Sequence, residues 1–97
     1  MATYVTLYNV IDQGFKNIKD TVKRVEAATK AASQIGLKLK EFLWTQGQYD
    51  MVAIAEASDE IAATAFGLSN LKLGNVRTQT LRAFTMAEME KILAKVA

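Results

Sequence analysis

Near the middle of the chain two apolar, β-prone runs, Leu37 to Thr45 and Tyr49 to Glu56, flank the segment Thr45-Gln46-Gly47-Gln48. A glycine between such runs lets the chain reverse where a side chain would be strained, so the pattern predicts a β-hairpin. On the first arm Leu37, Leu39, Glu41 and Leu43 share one phase, and Lys38, Lys40, Phe42 and Trp44 the other. The basic half of that second phase belongs in water and its aromatic half does not. Either a bulge near Glu41 switches faces or both faces are covered. On the second arm Val52 and Ile54 oppose Met51, Ala53 and Ala55, apolar on both sides.

The flanking segments have clearer periods. Between Thr3 and Val10, Val5 and Leu7 alternate with Tyr4, Thr6 and Tyr8, which predicts a strand with one aliphatic and one aromatic, hydroxylic face. Asp12 to Asp20 carries turn formers around Phe15 and Ile18 and predicts a short helical turn presenting those two as core anchors. From Thr21 to Ile35, Val22, Val25, Ala28, Ala32 and Ile35 recur every three or four residues, while Lys23, Arg24, Glu26 and Lys30 lie off that stripe. This is an amphipathic helix, with Asp20 or Thr21 at its N-cap and Gly36 as its stop. Ser58-Asp59-Glu60 opens a second helix carried by Ile61, Ala65, Phe66 and Leu68, and Asn70 to Gly74 ends it. Asn75 to Ala83 reads as a strand with a polar phase. Thr85-Met86-Ala87-Glu88 is a capping box before a third helix with Met89, Ile92, Leu93 and Val96 on its apolar side.

The order βαββαβ, with an appended C-terminal helix, predicts an α+β fold of the ferredoxin-like kind: a four-stranded antiparallel sheet with helices on one face. The other face is expected to carry Tyr8, Trp44, Met51, Thr78 and Thr80, and therefore to need a partner, a ligand, or both.

Composition narrows the chemistry. At 97 residues the chain is one domain, and 51% hydrophobic residues is high for so small a body, which argues for a homodimer or higher homo-oligomer. With neither cysteine nor histidine, thiolate catalysis, disulfides, thiolate metal centres and histidine-based acid–base chemistry are excluded. Ser33, Ser58 and Ser69 have no histidine to activate them, the five glycines are scattered singly, and no cofactor or metal is expected. Twelve basic against ten acidic residues gives a net charge of +2, too balanced to suggest nucleic acid as a partner. Met1-Ala-Thr-Tyr-Val enters a strand pattern at once and no apolar run is of spanning length, so a cytoplasmic protein without a membrane partner is expected.

Seven short segments, in order, are Tyr4-Val-Thr-Leu, Asp12-Gln-Gly, Asn17-Ile-Lys-Asp, Phe42-Leu-Trp-Thr, Gly47-Gln-Tyr-Asp50, Gly74-Asn-Val-Arg-Thr and Thr80-Leu-Arg-Ala-Phe84. Together they resemble the GYD-domain proteins over the whole chain, with Gly47, Tyr49 and Asp50 as the eponymous residues and Gln48 inserted between the first two. The resemblance implies a small bacterial or archaeal protein of the dimeric α/β-barrel type whose activity is not established.

Three groups of residues are candidates for function. Gly47, Tyr49 and Asp50 serve either structure (turn, packing, hydrogen bond) or, at the mouth of a pocket, acid–base chemistry through Asp50 and Tyr49. Thr6, Tyr8, Trp44, Met51, Thr78, Thr80 and Arg82 line either a subunit interface or a ligand cavity, in which Arg82 would anchor a carboxylate or phenolate. Lys16, Lys19, Lys23, Arg24 and Lys30 form a solvated face or, alternatively, meet an acidic ligand. The leading functional reading is a homo-oligomer that binds a small, partly apolar ligand, aromatic or anionic, because no activating dyad is visible. A cofactor-free enzyme of monooxygenase or isomerase type, using Asn9, Trp44, Tyr49, Asp50 and Arg82, and a purely structural assembly unit are the alternatives.

Overall fold

The computed structural model describes all 97 residues. Strands β1 (Ala2–Val10), β2 (Leu37–Trp44), β3 (Met51–Ala57) and β4 (Val76–Ala83) form one antiparallel sheet in the order β2-β3-β1-β4. Helix α1 (Asp12–Lys16) and a 3-10 turn (Ile18–Asp20) follow β1, α2 (Thr21–Gln34) leads to β2, α3 (Glu60–Lys72) joins β3 to β4, and α4 (Met86–Leu93) ends the chain. This is the ferredoxin-like arrangement expected from the element order.

The bulge is present: the β2–β3 register shifts between Leu39 and Glu41, so that Leu37 and Leu39 lie opposite Ala57 and Ala55, and Phe42 and Trp44 opposite Ala53 and Met51. One extra residue, Lys40, lets the aromatic pair join the leucines on one face. That face is the covered one. Tyr4, Tyr8, Leu37, Met51, Ala53, Ala55 and Ala57 are buried beneath α2 and α3, with Ala32, Ala62, Ala63 and Phe66 coming down from the helices. The expectation that Tyr8, Trp44, Met51, Thr78 and Thr80 lie on the uncovered side is therefore reversed. Physically, the alanines of β3 give a low floor on which helices can settle, and the tyrosines fill the space beside them.

The open face is the aliphatic one. Val5, Leu7, Val52, Ile54, Leu43 and Leu81 share it, with Leu43 51% and Leu81 42% exposed. Lys38, Lys40, Glu41, Glu56, Arg77 and Gln79 surround that centre, and Lys40 Nζ pairs with Glu56 Oε1 at 3.0 Å.

Several apolar residues read as core are outside. Phe15 and Ile18 are exposed, as are Val22 of α2, Ile35 just after it, and Ile61 and Leu68 of α3. Helix α3 is apolar nearly all round, so its period could not say which stripe faces the sheet; Ala62, Ala63 and Phe66 do. At its start the capping oxygen belongs to Asp59, which accepts from Ala62 N, and not to Ser58. The capping box of α4 is formed as expected between Thr85 and Glu88, yet α4 barely touches the body and leaves Met86, Met89 and Leu93 exposed.

Candidate functional site: a cleft between the helices and the sheet

Because only twelve residues are buried, the space between the helix layer and the sheet is incompletely filled. A cleft of about 480 Å³ opens there, between α2 and α3. Its floor is made by Tyr8 of β1, Phe42 of β2, Met51 of β3 and Val76 of β4, and its walls by Val25, Ala28 and Ala31 of α2 and Phe66 of α3. Small residues on α2 leave this volume: a leucine at Ala28 or Ala31 would occupy it. An apolar cavity of several hundred Å³ with a few polar groups at its edge is the usual form of a small-molecule site.

The buried hydroxyl without a hydrogen-bond partner is that of Tyr4, outside the cleft, whereas Tyr8, 4% exposed, lines it. Burial pushes the Tyr8 pKa from the usual 10 up to about 12, so the phenol is a neutral donor at physiological pH. Tyr8, Phe42 and Trp44 form an aromatic run, with ring centroids 5.5 Å and 5.3 Å apart and tilted planes. Trp44, 46% exposed, lies at the rim: its Nε1 donates to Thr21 Oγ1 at 3.0 Å, and Thr21 in turn approaches Met51 Sδ at 4.0 Å. Thr21 and Met51 line the cleft, so the single tryptophan is one hydrogen bond from it.

The remaining members of the predicted face are elsewhere. Thr78, Thr80 and Arg82 line a second, more polar groove of about 390 Å³ between α3 and β4, floored by Tyr4. Thr6 Oγ1 meets Thr80 Oγ1 at 3.5 Å. The Arg82 guanidinium is already engaged. It lies 4.4 Å from the Phe84 ring centroid and 5.8 Å from that of Tyr4, donates to the carbonyls of Thr3 and Ala83, and stands 3.6 Å from Glu88 Oε2. Its fork ties the end of β4 to the start of α4, which leaves it poorly placed to anchor a ligand in the main cleft.

Gly47, Tyr49 and Asp50 lie in the loop between β2 and β3. Gly47 has φ +112°, a region that side chains rarely enter, and nothing lies within 4 Å of where its Cβ would be. The β1–β3 register ends at Tyr8 opposite Met51; one more pair along each strand would set Asn9 opposite Asp50. Instead the Tyr49 carbonyl accepts from Thr45 Oγ1, and Asp50 Oδ2 takes the Val10 N–H at 2.8 Å while Asp50 N donates to Tyr8 O at 2.8 Å. A carboxylate thus replaces a missing strand carbonyl. The Tyr49 hydroxyl donates to Gln79 Oε1 at 3.1 Å, spanning toward β4. Neither Tyr49 nor Asp50 lines the cleft.

These features coincide with a family comparison. The model of the GYD domain matches residues 4–93. The chain belongs to the GYD-domain family. No curated protein matches it. Among solved structures, this GYD protein is similar to TTHA0845 from Thermus thermophilus, with 26% identity over 88% of this chain and 95% of that one and a TM-score of 0.57. No helix is long and apolar enough to cross a membrane, and no group of carboxylates is arranged to hold a metal ion.

One residue of the cleft escapes the sequence reading. Arg24 groups by sequence with the lysines of a solvated face, yet it is half-buried and lines the cleft, whereas Lys16, Lys19, Lys23 and Lys30 are exposed. The signal available is weak: Arg24 is adjacent to Val25 and three residues from Thr21, and the rotation of α2 that brings all three to one side is set by Ala32 sitting on the sheet.

Proposed function

We propose that this GYD protein is a homodimer that binds a small, largely apolar molecule in the cleft between α2, α3 and the sheet. The observation that carries the binding reading is the cleft itself: a preformed apolar volume whose floor includes the largely buried side chain of Tyr8, held as a neutral phenol. The dimer reading is supported by the open sheet face, whose aliphatic centre and charged rim have the anatomy of a subunit interface. The two sites are on opposite faces of the sheet, so binding and association do not compete. Catalysis is less well supported, because Asp50 and Tyr49 are occupied by structural hydrogen bonds away from the cleft.

Light scattering should return twice the mass of one chain, and Leu7→Glu, placed in the middle of the open face, should return a monomer that still binds. Binding is read by titrating a neutral fluorophore, N-phenyl-1-naphthylamine, and following both its emission and that of Trp44. Ala31→Trp, which fills the cleft from an exposed helix position, should abolish the response. A response that survives Ala31→Trp would place binding elsewhere and refute the assignment.

A further inference from the structure

We infer that the ligand of this cleft carries a single anionic headgroup on an elongated apolar body, and that Arg24 is its anchor. The inference rests on the binding reading above and adds the chemical class of the ligand. Arg24 is the one charged residue that lines the cleft, and no Asp or Glu lines it. The chain contains two ion pairs, Lys40 with Glu56 and Arg82 with Glu88, so the Arg24 guanidinium has no carboxylate partner. A half-buried positive charge against an apolar cavity is costly to leave unpaired, and a ligand anion would compensate it.

The guanidinium is also held in place. Arg24 Nη2 donates to the Asn17 carbonyl at 3.0 Å, which fixes the plane of the fork and leaves its other N–H groups free. A preorganised planar fork matches the two oxygens of a carboxylate or sulfonate better than a lysine would. The other polar groups at the edge, Gln34, Ser69, Asn70 and Asn75, are neutral and add no competing charge.

Shape sets the rest of the ligand. The lining residues of α2 run from Thr21 to Gln34, and from Arg24 to Gln34 a helix rises about 15 Å at ~1.5 Å per residue. A headgroup at Arg24 therefore has a long apolar trough ahead of it, floored by Tyr8, Phe42 and Met51. The neutral Tyr8 phenol supplies a donor without a charge in the trough. An acyl carboxylate or a fused-ring sulfonate fits this description; a polyanion or a sugar does not.

The test compares two fluorophores of like size, anionic 8-anilino-1-naphthalenesulfonate and neutral N-phenyl-1-naphthylamine, on the wild type, Arg24→Gln, Arg24→Lys and Ala31→Trp. The expected result is that Arg24→Gln weakens the anionic probe at least tenfold and the neutral probe less than twofold, that Arg24→Lys falls between, and that added salt weakens the anionic probe alone. The neutral probe reports that the cleft is intact in each Arg24 variant. Equal loss of both probes on Arg24→Gln would make Arg24 a structural residue and overturn the inference while leaving the binding reading in place. Unchanged affinity for the anionic probe would overturn it too. If neither probe binds the wild type, the binding reading falls and the inference with it.

Discussion

Replacing Asp50 tests whether the motif aspartate is a strand surrogate or an acid–base group. Its Oδ2 holds the Val10 N–H at 2.8 Å at a point where the β1–β3 ladder has run out, and Val10 is half-buried. In Asp50→Ala the N–H loses its acceptor. An unmade hydrogen bond to a partly buried donor costs about 1–3 kcal/mol. For a domain of this size each kcal/mol lowers the melting temperature by about 4–8 °C. Asp50→Asn keeps an amide oxygen in the same place and loses only the charge assistance, so it should recover roughly half of that loss. Urea or thermal melts of the wild type and the two variants give the ordering wild type, then Asn, then Ala. The Val10 amide should also exchange its proton faster in Asp50→Ala than in the wild type. If Asp50→Ala melts with the wild type, or Asp50→Asn is the worse of the two, the carboxylate does not close the ladder. If Asp50→Asn is as stable as the wild type but eliminates a measured turnover, the acid–base reading regains its footing.

Three further outcomes are expected. Gly47→Val should cost about 1–3 kcal/mol from backbone strain alone, because φ is +112° and no atom crowds the position; an unchanged denaturation midpoint would mean that the loop relaxes to ordinary angles. Gly14→Ala should destabilise more sharply, since its Cβ would run into the Asn75 carbonyl that already accepts from Ile11 N, and a melt shows it. Tyr8 keeps its proton in the folded state to about pH 12 while the unfolded chain releases it near 10, so the folded state binds more protons in that window and stability falls as pH rises through it. The loss approaches about 2–3 kcal/mol at ~1.4 kcal/mol per pH unit, and Tyr8→Phe should remove this part of the alkaline slope in urea titrations taken across the alkaline range.

The sequence alone determined the elements and their order. Alternation in β1, the three-and-four spacing of α2, the capping box at Thr85 and Glu88, and the conflict of phases at Glu41 are all local signals, and each appears in the fold. Gly47 was legible for the same reason, since its backbone angle is a property of a short turn. What the chain could not say by itself is which face of a two-faced element turns inward. In β1 and β3 both phases are apolar, and in α3 the apolar surface runs nearly all round, so hydrophobicity balances and the decision passes to shape. Ala53, Ala55 and Ala57 let α2 and α3 come down on their side, which puts Tyr8 and Met51 under the helices and Val5, Leu7 and Ile54 in the open. The same seating of Ala32 rotates α2 and carries Arg24 from an apparent row of surface cations to the edge of the cleft. Arg82 is drawn the other way, into the joint between β4 and α4, by Phe84 two residues on and by Glu88, which meets it only once the chain turns at Thr85. Local periodicity names the stripes of each element, but which stripe faces which is decided by steric fit between elements distant in sequence, and the candidate site is made of those choices.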